Sequence, residues 1–153
     1  MELAGDFFVR ELSARDFPRL KAILPEWLPA QWQAGAGASG HRWLALIQRV
    51  AGVDASAGLV EYQQIVDEGH LLGIAIVPTL RGHGLGMLLL QAALEEMRSG
   101  GCTRCLLEVR RSNRAAQVLY ERANFTLDGV RKAYYPPQDS AQREDALLYS
   151  RVL

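Results

Sequence analysis

Leu71-Leu72-Gly73-Ile74-Ala75-Ile76-Val77-Pro78, followed three residues on by Arg81-Gly82-His83-Gly84-Leu85-Gly86, is the stretch that decides the fold. A nearly unbroken apolar run ending at a proline predicts a strand buried on both faces and placed centrally in its sheet. The glycines then open a helix over about 84–98, with Leu85, Leu88, Leu89, Ala92 and Ala93 on its apolar side and Gly100-Gly101 at its end. Strand, glycine turn and helix follow in that order, and a strand over 102–109 comes next.

Working outward, Ser112-Asn113 caps a further helix to about residue 123. Closing strands are expected over 125–134 and 145–152, separated by the turn-rich Pro136-Pro137-Gln138-Asp139-Ser140. Upstream, strands over about 43–49, 58–66 and 69–77 are close enough in sequence to form an antiparallel meander, with residues 50–57 joining the first two. A first strand over 6–12 precedes a helix over 14–24, capped by Ser13 and carrying Phe17, Leu20, Ile23 and Leu24 at helical spacing. Pro25 and Pro29 bracket a short piece through Trp27 and Trp32, and the low-complexity Gly35-Ala36-Gly37-Ala38-Ser39-Gly40 predicts a mobile loop. The expected class is α/β, one domain over 1–153 with helices packed about one mixed sheet.

The 153 residues suffice for a buried core, and 49% are apolar against 22% charged, which excludes a disordered chain. Seventeen basic residues balance seventeen acidic ones. That argues against a general nucleic-acid binder, which needs a surplus of cations for phosphates. No segment is apolar over the roughly 18 residues that span a bilayer, and the acidic start lacks the layout of a signal peptide, so a cytoplasmic protein without membrane contact is expected. Cys102 and Cys105 form a C-x-x-C. Inside a strand the two would face opposite ways, which favours structural thiols over a zinc or redox pair. The three histidines are scattered, and no metal is expected.

The glycine loop has a chemistry of its own. At a helix start several N–H groups lack intrahelical partners, and glycines let a phosphate approach the backbone without a Cβ in the way. A Walker A loop is excluded because Gly86 is followed by Met87 and Leu88, and a dinucleotide fingerprint is excluded because the glycines fall at 82, 84 and 86. The remaining R-x-x-G-x-G suits a pyrophosphate, or is simply a glycine-rich turn.

The wider pattern narrows this. R-x-x-G-x-G after Ile74-Ala75-Ile76-Val77-Pro78 resembles the acetyl-coenzyme A loop of the GNAT N-acetyltransferases. The run Leu107-Glu108-Val109-Arg110-Arg111-Ser112-Asn113-Arg114-Ala115-Ala116, then Leu119-Tyr120-Glu121, resembles that family's second signature. Tyr134-Tyr135-Pro136 and Arg143-Glu144-Asp145-Ala146 are similar to those of the bacterial ribosomal-protein-alanine N-acetyltransferases, and the resemblance covers about residues 67–150. It implies the GNAT fold, a mostly antiparallel mixed sheet in which two central strands splay apart to admit the pantetheine arm of acetyl-CoA. Ile74, Ala75 and Ile76 would bond that arm and polarise the thioester through backbone N–H groups. Arg81, Gly82, His83, Gly84, Leu85, Gly86 and Met87 would wrap the pyrophosphate, and Asn113 would touch the cofactor unless it is only a helix cap.

By the same resemblance Glu108 is the general base that takes a proton from the attacking amine, and Tyr120 is the general acid that protonates the departing thiolate. An α-amine of pKa about 7.7–8.0 needs only a weak base, and a phenol near 10 keeps its proton at neutral pH. Tyr134, Tyr135, Arg143, Glu144 and Asp145 would shape the acceptor groove. The implied reaction is transfer of acetyl to a protein N-terminal α-amine, that of a small-subunit ribosomal protein beginning with alanine, by a monomer or weak dimer without direct nucleic-acid contact. The alternatives are a small-molecule amine or another N-terminus as acceptor, or a CoA-binding sensor without turnover. Arg81, Arg110, Arg111 and Arg114 would make the cofactor side basic, and Glu108, Glu144 and Asp145 the amine side acidic.

Overall fold

The computed structural model describes residues 3–27, 40–138 and 142–153. Residues 35–39 of the expected loop at 35–40, Pro29 with Trp32, and Asp139-Ser140 lie outside the described residues. Among the described residues seven strands form one sheet: β1 (Asp6–Glu11), β2 (His41–Val50), β3 (Val53–Ile65), β4 (Glu68–Ile76), β5 (Arg104–Arg110), β6 (Thr126–Tyr135) and β7 (Glu144–Val152). Their order is β1-β2-β3-β4-β5-β7-β6. Every pairing is antiparallel except β4 with β5. The described residues also form the helices α1 (Phe17–Ile23), α2 (Leu85–Ser99) and α3 (Arg114–Arg122). This is the expected α/β architecture, with the meander and the two closing strands as read, and with a crossover through α2 between the parallel β4 and β5.

The hairpins are tighter than expected. Ala51 and Gly52 both adopt positive φ (50° and 77°), a two-residue turn that suits the twist of a hairpin. β2 therefore runs on to Val50 and β3 begins at Val53, rather than leaving 50–57 as a link. At the first helix Ser13 is not the cap. The buried Asp16 (3% exposed) takes that position, and its carboxylate accepts the Ser13 N–H at 2.8 Å and a bidentate Arg10 guanidinium at 2.7 and 2.9 Å. The helix starts later than expected because the first turn is committed to this ion pair.

Two clusters fill the two faces. On one, α2 and α3 pack Leu89, Leu90, Ala93, Met97 and Tyr120 against Leu71, Leu107, Leu147 and Tyr149 of the sheet. On the other, α1 packs Leu20 and Leu24 against Leu12, Ala45, Ile47, Leu59 and Val77. Cys102 and Cys105 are both free and buried in the first cluster. The opposite-face expectation fails because β5 begins only at Arg104, so Cys102 precedes the strand. Burial pushes the Cys105 thiol up to about 12, which makes it inert at neutral pH. β4 is central as expected, but its Leu72 is 49% exposed. The cause is the separation of β4 from β5.

Candidate active site

β4 and β5 pair over four positions only, from Glu68 opposite Arg104 to Leu71 opposite Leu107. Beyond that each strand follows its outer neighbour. β4 stays with β3 as far as Ile76 opposite Gly58, and β5 stays with β7 as far as Arg110 opposite Ala146. A V-shaped gap opens between them. Among the described residues no strand pairs with the inner edge of β4 from Leu72 to Ile76. Successive strand residues direct their N–H and C=O groups to alternate edges. Half of the backbone groups over Ile74, Ala75 and Ile76 therefore face the gap, available to another molecule.

The glycine loop closes the wide end of the gap. A 3-10 turn (Pro78–Leu80) leads into Gly82 and Gly84, whose φ values of 81° and 80° are left-handed and strain any other residue. A Cβ at either would meet nothing within 4 Å, so the loop is open. The first α2 bond runs from Leu88 N–H to Gly84 C=O, which leaves the N–H groups of Leu85, Gly86 and Met87 without helical partners. Leu85 contributes only its backbone, since its side chain is buried in the core, while Gly86 brings α2 against Leu119 of α3. Arg81 turns back to donate from Nε to the Ile76 carbonyl at 2.8 Å, and His83 Nδ1 lies 3.3 Å from the Leu80 carbonyl. Free N–H donors, no side chain overhead and a helix start fit a pyrophosphate.

On the same face of the sheet as α1, in the part that α1 leaves uncovered, a cleft of about 650 Å³ runs along the narrow end of the gap. His70, Leu72, Leu106, Glu108, Asp128, Arg131, Tyr134 and Tyr135 are among its lining residues. Glu108 alternates outward while Leu107 and Val109 are buried. Its carboxylate is one-third exposed and lies 3.3 Å from Arg131 Nη1, so the base candidate sits beside a cation rather than in an apolar pocket. Tyr120 sits on the opposite face, 6% exposed, its ring 5.8 Å from Phe125 and 6.4 Å from Tyr149. Among the described residues no hydrogen bond engages its hydroxyl. Burial first, then the nearby Cys105 and Tyr135, push that phenol well above its ordinary value. Tyr135 is raised as well, by burial and then by Glu108. Tyr135 therefore lies within electrostatic reach both of Tyr120 and of the Glu108 charge.

The profile of the acetyltransferase (GNAT) family matches residues 7–125. The chain belongs to that family. The [ribosomal protein bS18]-alanine N-acetyltransferase of Haemophilus influenzae is 34% identical over 147 residues, covering 95% of this chain and 98% of that protein. Its Salmonella typhimurium counterpart is 34% identical over 134 residues, covering 79% and 88%. Among solved structures, the ribosomal-protein-S18-alanine N-acetyltransferase of Escherichia coli superposes with a TM-score of 0.76 at 30% identity, covering 95% of this chain and 92% of that one. Arabidopsis thaliana NAA60 in complex with acetyl-CoA shares the fold at 19% identity and a TM-score of 0.76, covering 97% of this chain and 99% of that one.

Within this GNAT chain the remaining sequence-derived residues have defined places. Asn113 caps α3, its Oδ1 accepting the Ala116 N–H at 3.2 Å, with its amide N–H₂ left over. Arg143 donates to the carbonyls of Ala133 and Tyr134 at 2.9 and 2.8 Å, and Asp145 accepts the Ala133 N–H at 2.9 Å. They clamp a bulge in β6 where Ala133 has φ 53°, and so orient Tyr134 and Tyr135. Glu144 accepts the Ser112 N–H at 2.7 Å and lies 3.7 Å from Arg110, while Asp145 pairs with Arg111 at 3.3 Å. Arg110 stacks on Tyr135 at 4.4 Å. The expected division into a basic cofactor side and an acidic amine side is thus altered, because Arg110 and Arg111 neutralise the two acids locally.

Three residues escaped the sequence reading. Gln117, 5% exposed, donates from Nε2 to the carbonyls of Arg110 and Arg111, tying the end of β5 to α3. His70 lines the cleft from β4. Arg131 reaches Glu108 from β6, two strands away. A polar residue in a helix turn hints at the first, whereas nothing local signals the others.

Proposed function

We propose that this chain transfers an acetyl group from acetyl-CoA to the α-amine of a protein beginning with alanine, ribosomal protein bS18 being the leading acceptor. The carrying observation is the open β4–β5 gap, with Glu108 on the cleft side and Tyr120 on the other. The near full-length likeness to the Haemophilus influenzae enzyme supports the acceptor. Acetyl-CoA supplies an activated thioester. The inner edge of β4 at Ile74, Ala75 and Ile76 holds the pantetheine arm, and a backbone N–H there polarises the thioester carbonyl. The N–H groups from Gly82 to Met87 hold the pyrophosphate, with Arg81, His83 and the Asn113 amide beside it.

Glu108 takes the proton that the amine loses on attack, directly or through water. Tyr120 keeps its proton through neutral pH, because burial disfavours the phenolate, and gives it to the departing sulfur. Tyr134 and Tyr135 wall the acceptor groove, and Arg143, Glu144 and Asp145 hold that wall in place. The test is acetyl transfer to peptides that differ only in their first residue. N-terminal alanine should be acetylated fastest, ahead of serine, methionine and a blocked peptide with a free lysine. Acetylation of a small amine with no peptide modified would overturn the acceptor.

A further inference from the structure

Arg131 places a cation where an amine substrate is expected to arrive. Its Nη1 is 3.3 Å from Glu108 Oε1, and its guanidinium carbon lies 4.8 Å from the centre of the Tyr134 ring. A carboxylate and an aromatic face are the two partners an ammonium would seek. We propose that Arg131 is a specificity-determining positioning residue, whose guanidinium fills the cation site at Glu108 and so admits an uncharged amine in preference to an ammonium. The inference rests on reading Glu108 as the base of acetyl transfer.

The consequence is selection between amines. At pH 7 about one α-amine in ten is uncharged, against about one lysine ε-amine in 2,500. A site that rejects ammonium ions therefore discriminates against lysine before any chemistry begins. The proton of an arriving α-ammonium goes to water, the uncharged amine attacks the thioester carbon, and Glu108 then takes one N–H proton. The register explains how Arg131 reaches so far. It pairs with Ala146, whereas Glu108 pairs with Leu148 two residues along the same face of β7, so the Arg131 side chain crosses that strand diagonally past the Ala146 methyl group. The other charged or titratable groups around the pair are Glu68 and His70 of β4, 3.8 Å apart, Asp128, Tyr134 and Tyr135 of β6, Tyr149 and Glu144 of β7, and Arg110 of β5. Arg110 is occupied by Glu144 and Tyr135, which among the described residues leaves Arg131 as the cation at the base.

The experiment compares the wild type with Arg131→Gln and Arg131→Lys, measuring the pH dependence of kcat on an N-terminal-alanine peptide and inhibition by an N-terminally blocked lysine peptide. Arg131 is half exposed on an edge strand, so melting temperatures should match and the comparison is one of folded enzymes. In Arg131→Gln the acid limb of kcat should move up by about one pH unit and inhibition by the lysine peptide should strengthen about tenfold, with KM for the alanine peptide no higher. Arg131→Lys should stay near the wild type. A Gln variant whose profile and inhibition superimpose on the wild type overturns the inference, as does a Lys variant impaired as severely as Gln. Should the wild type acetylate no amine at all, or Glu108→Gln retain full activity, it is the assignment of the base that fails.

Discussion

The two ends of the β4–β5 seam are built from one pair of strands and behave oppositely. From Glu68 to Leu71 the seam is closed, and α2 lies so near that a Cβ at Gly69 would stand 2.5 Å from the Met97 sulfur. From Leu72 onward it is open, and the glycines beyond it, Gly82 and Gly84, have nothing within 4 Å of a would-be Cβ. Glycine serves close packing at one end and free access at the other. The closed end fixes the angle between the strands. The open end exposes backbone groups that a continuous ladder would have consumed, and Glu108 and Tyr120 flank that opening.

The sharpest way to break this contrast is to alter the open end without touching the fold. Glu108→Gln and Tyr120→Phe should each lower turnover by about 10²–10⁴-fold, with CoA binding and melting temperature little changed. Tyr120→Phe removes a hydroxyl without a protein partner among the described residues, so the core should tolerate it. Rates unchanged in both variants would detach the gap from the chemistry.

Substitutions at the closed end should do the reverse. Gly69→Ala crowds Met97 and should cost about 1–3 kcal/mol in urea unfolding, while the folded fraction keeps its kcat. Gly84→Ala, by contrast, should raise KM for acetyl-CoA several-fold for a stability loss of about 1 kcal/mol from the left-handed φ.

Two further effects belong to the scaffold and should leave the opening untouched. Burial by itself would raise the Asp16 carboxyl, but hydrogen bonds from Arg10 and Ser13 and the Arg10 charge outweigh it and leave it below its ordinary value. Its contribution to stability is therefore complete above the unfolded carboxyl value of about 3.9 and disappears as the pH falls through the lower folded value. Acid unfolding of Asp16→Asn should be less steep in that window. The smallest effect is a gain. Val66, 88% exposed in the β3–β4 turn, sits at φ 56°, and Val66→Gly should add about 1 kcal/mol to thermal stability without altering acetylation.

What could be read from sequence followed the range of the interactions. The β4 run, the glycine turn and α2 are local patterns, and their bounds were legible to within one or two residues. The order β5-β7-β6 depends on which hairpin strand inserts, a non-local choice that composition leaves open. Glu108, Tyr120 and the glycine loop were legible because they lie in signatures of adjacent residues. Arg131 was not, since its partner is fixed by register across β7. Arg143, Glu144 and Asp145 were legible as a group, but their action as a clamp on the Ala133 bulge needs the hairpin geometry.

The central claim is that the open seam, with Glu108 beside it, carries acetyl to a protein α-amine. Its most direct test is mass spectrometry of a bS18 N-terminal peptide after incubation with acetyl-CoA and either wild type or Glu108→Gln enzyme. One acetyl group on the alanine nitrogen with the wild type, and at least about a hundredfold less with the variant, is the expected result. An unmodified peptide, or equal modification by both enzymes, would contradict it.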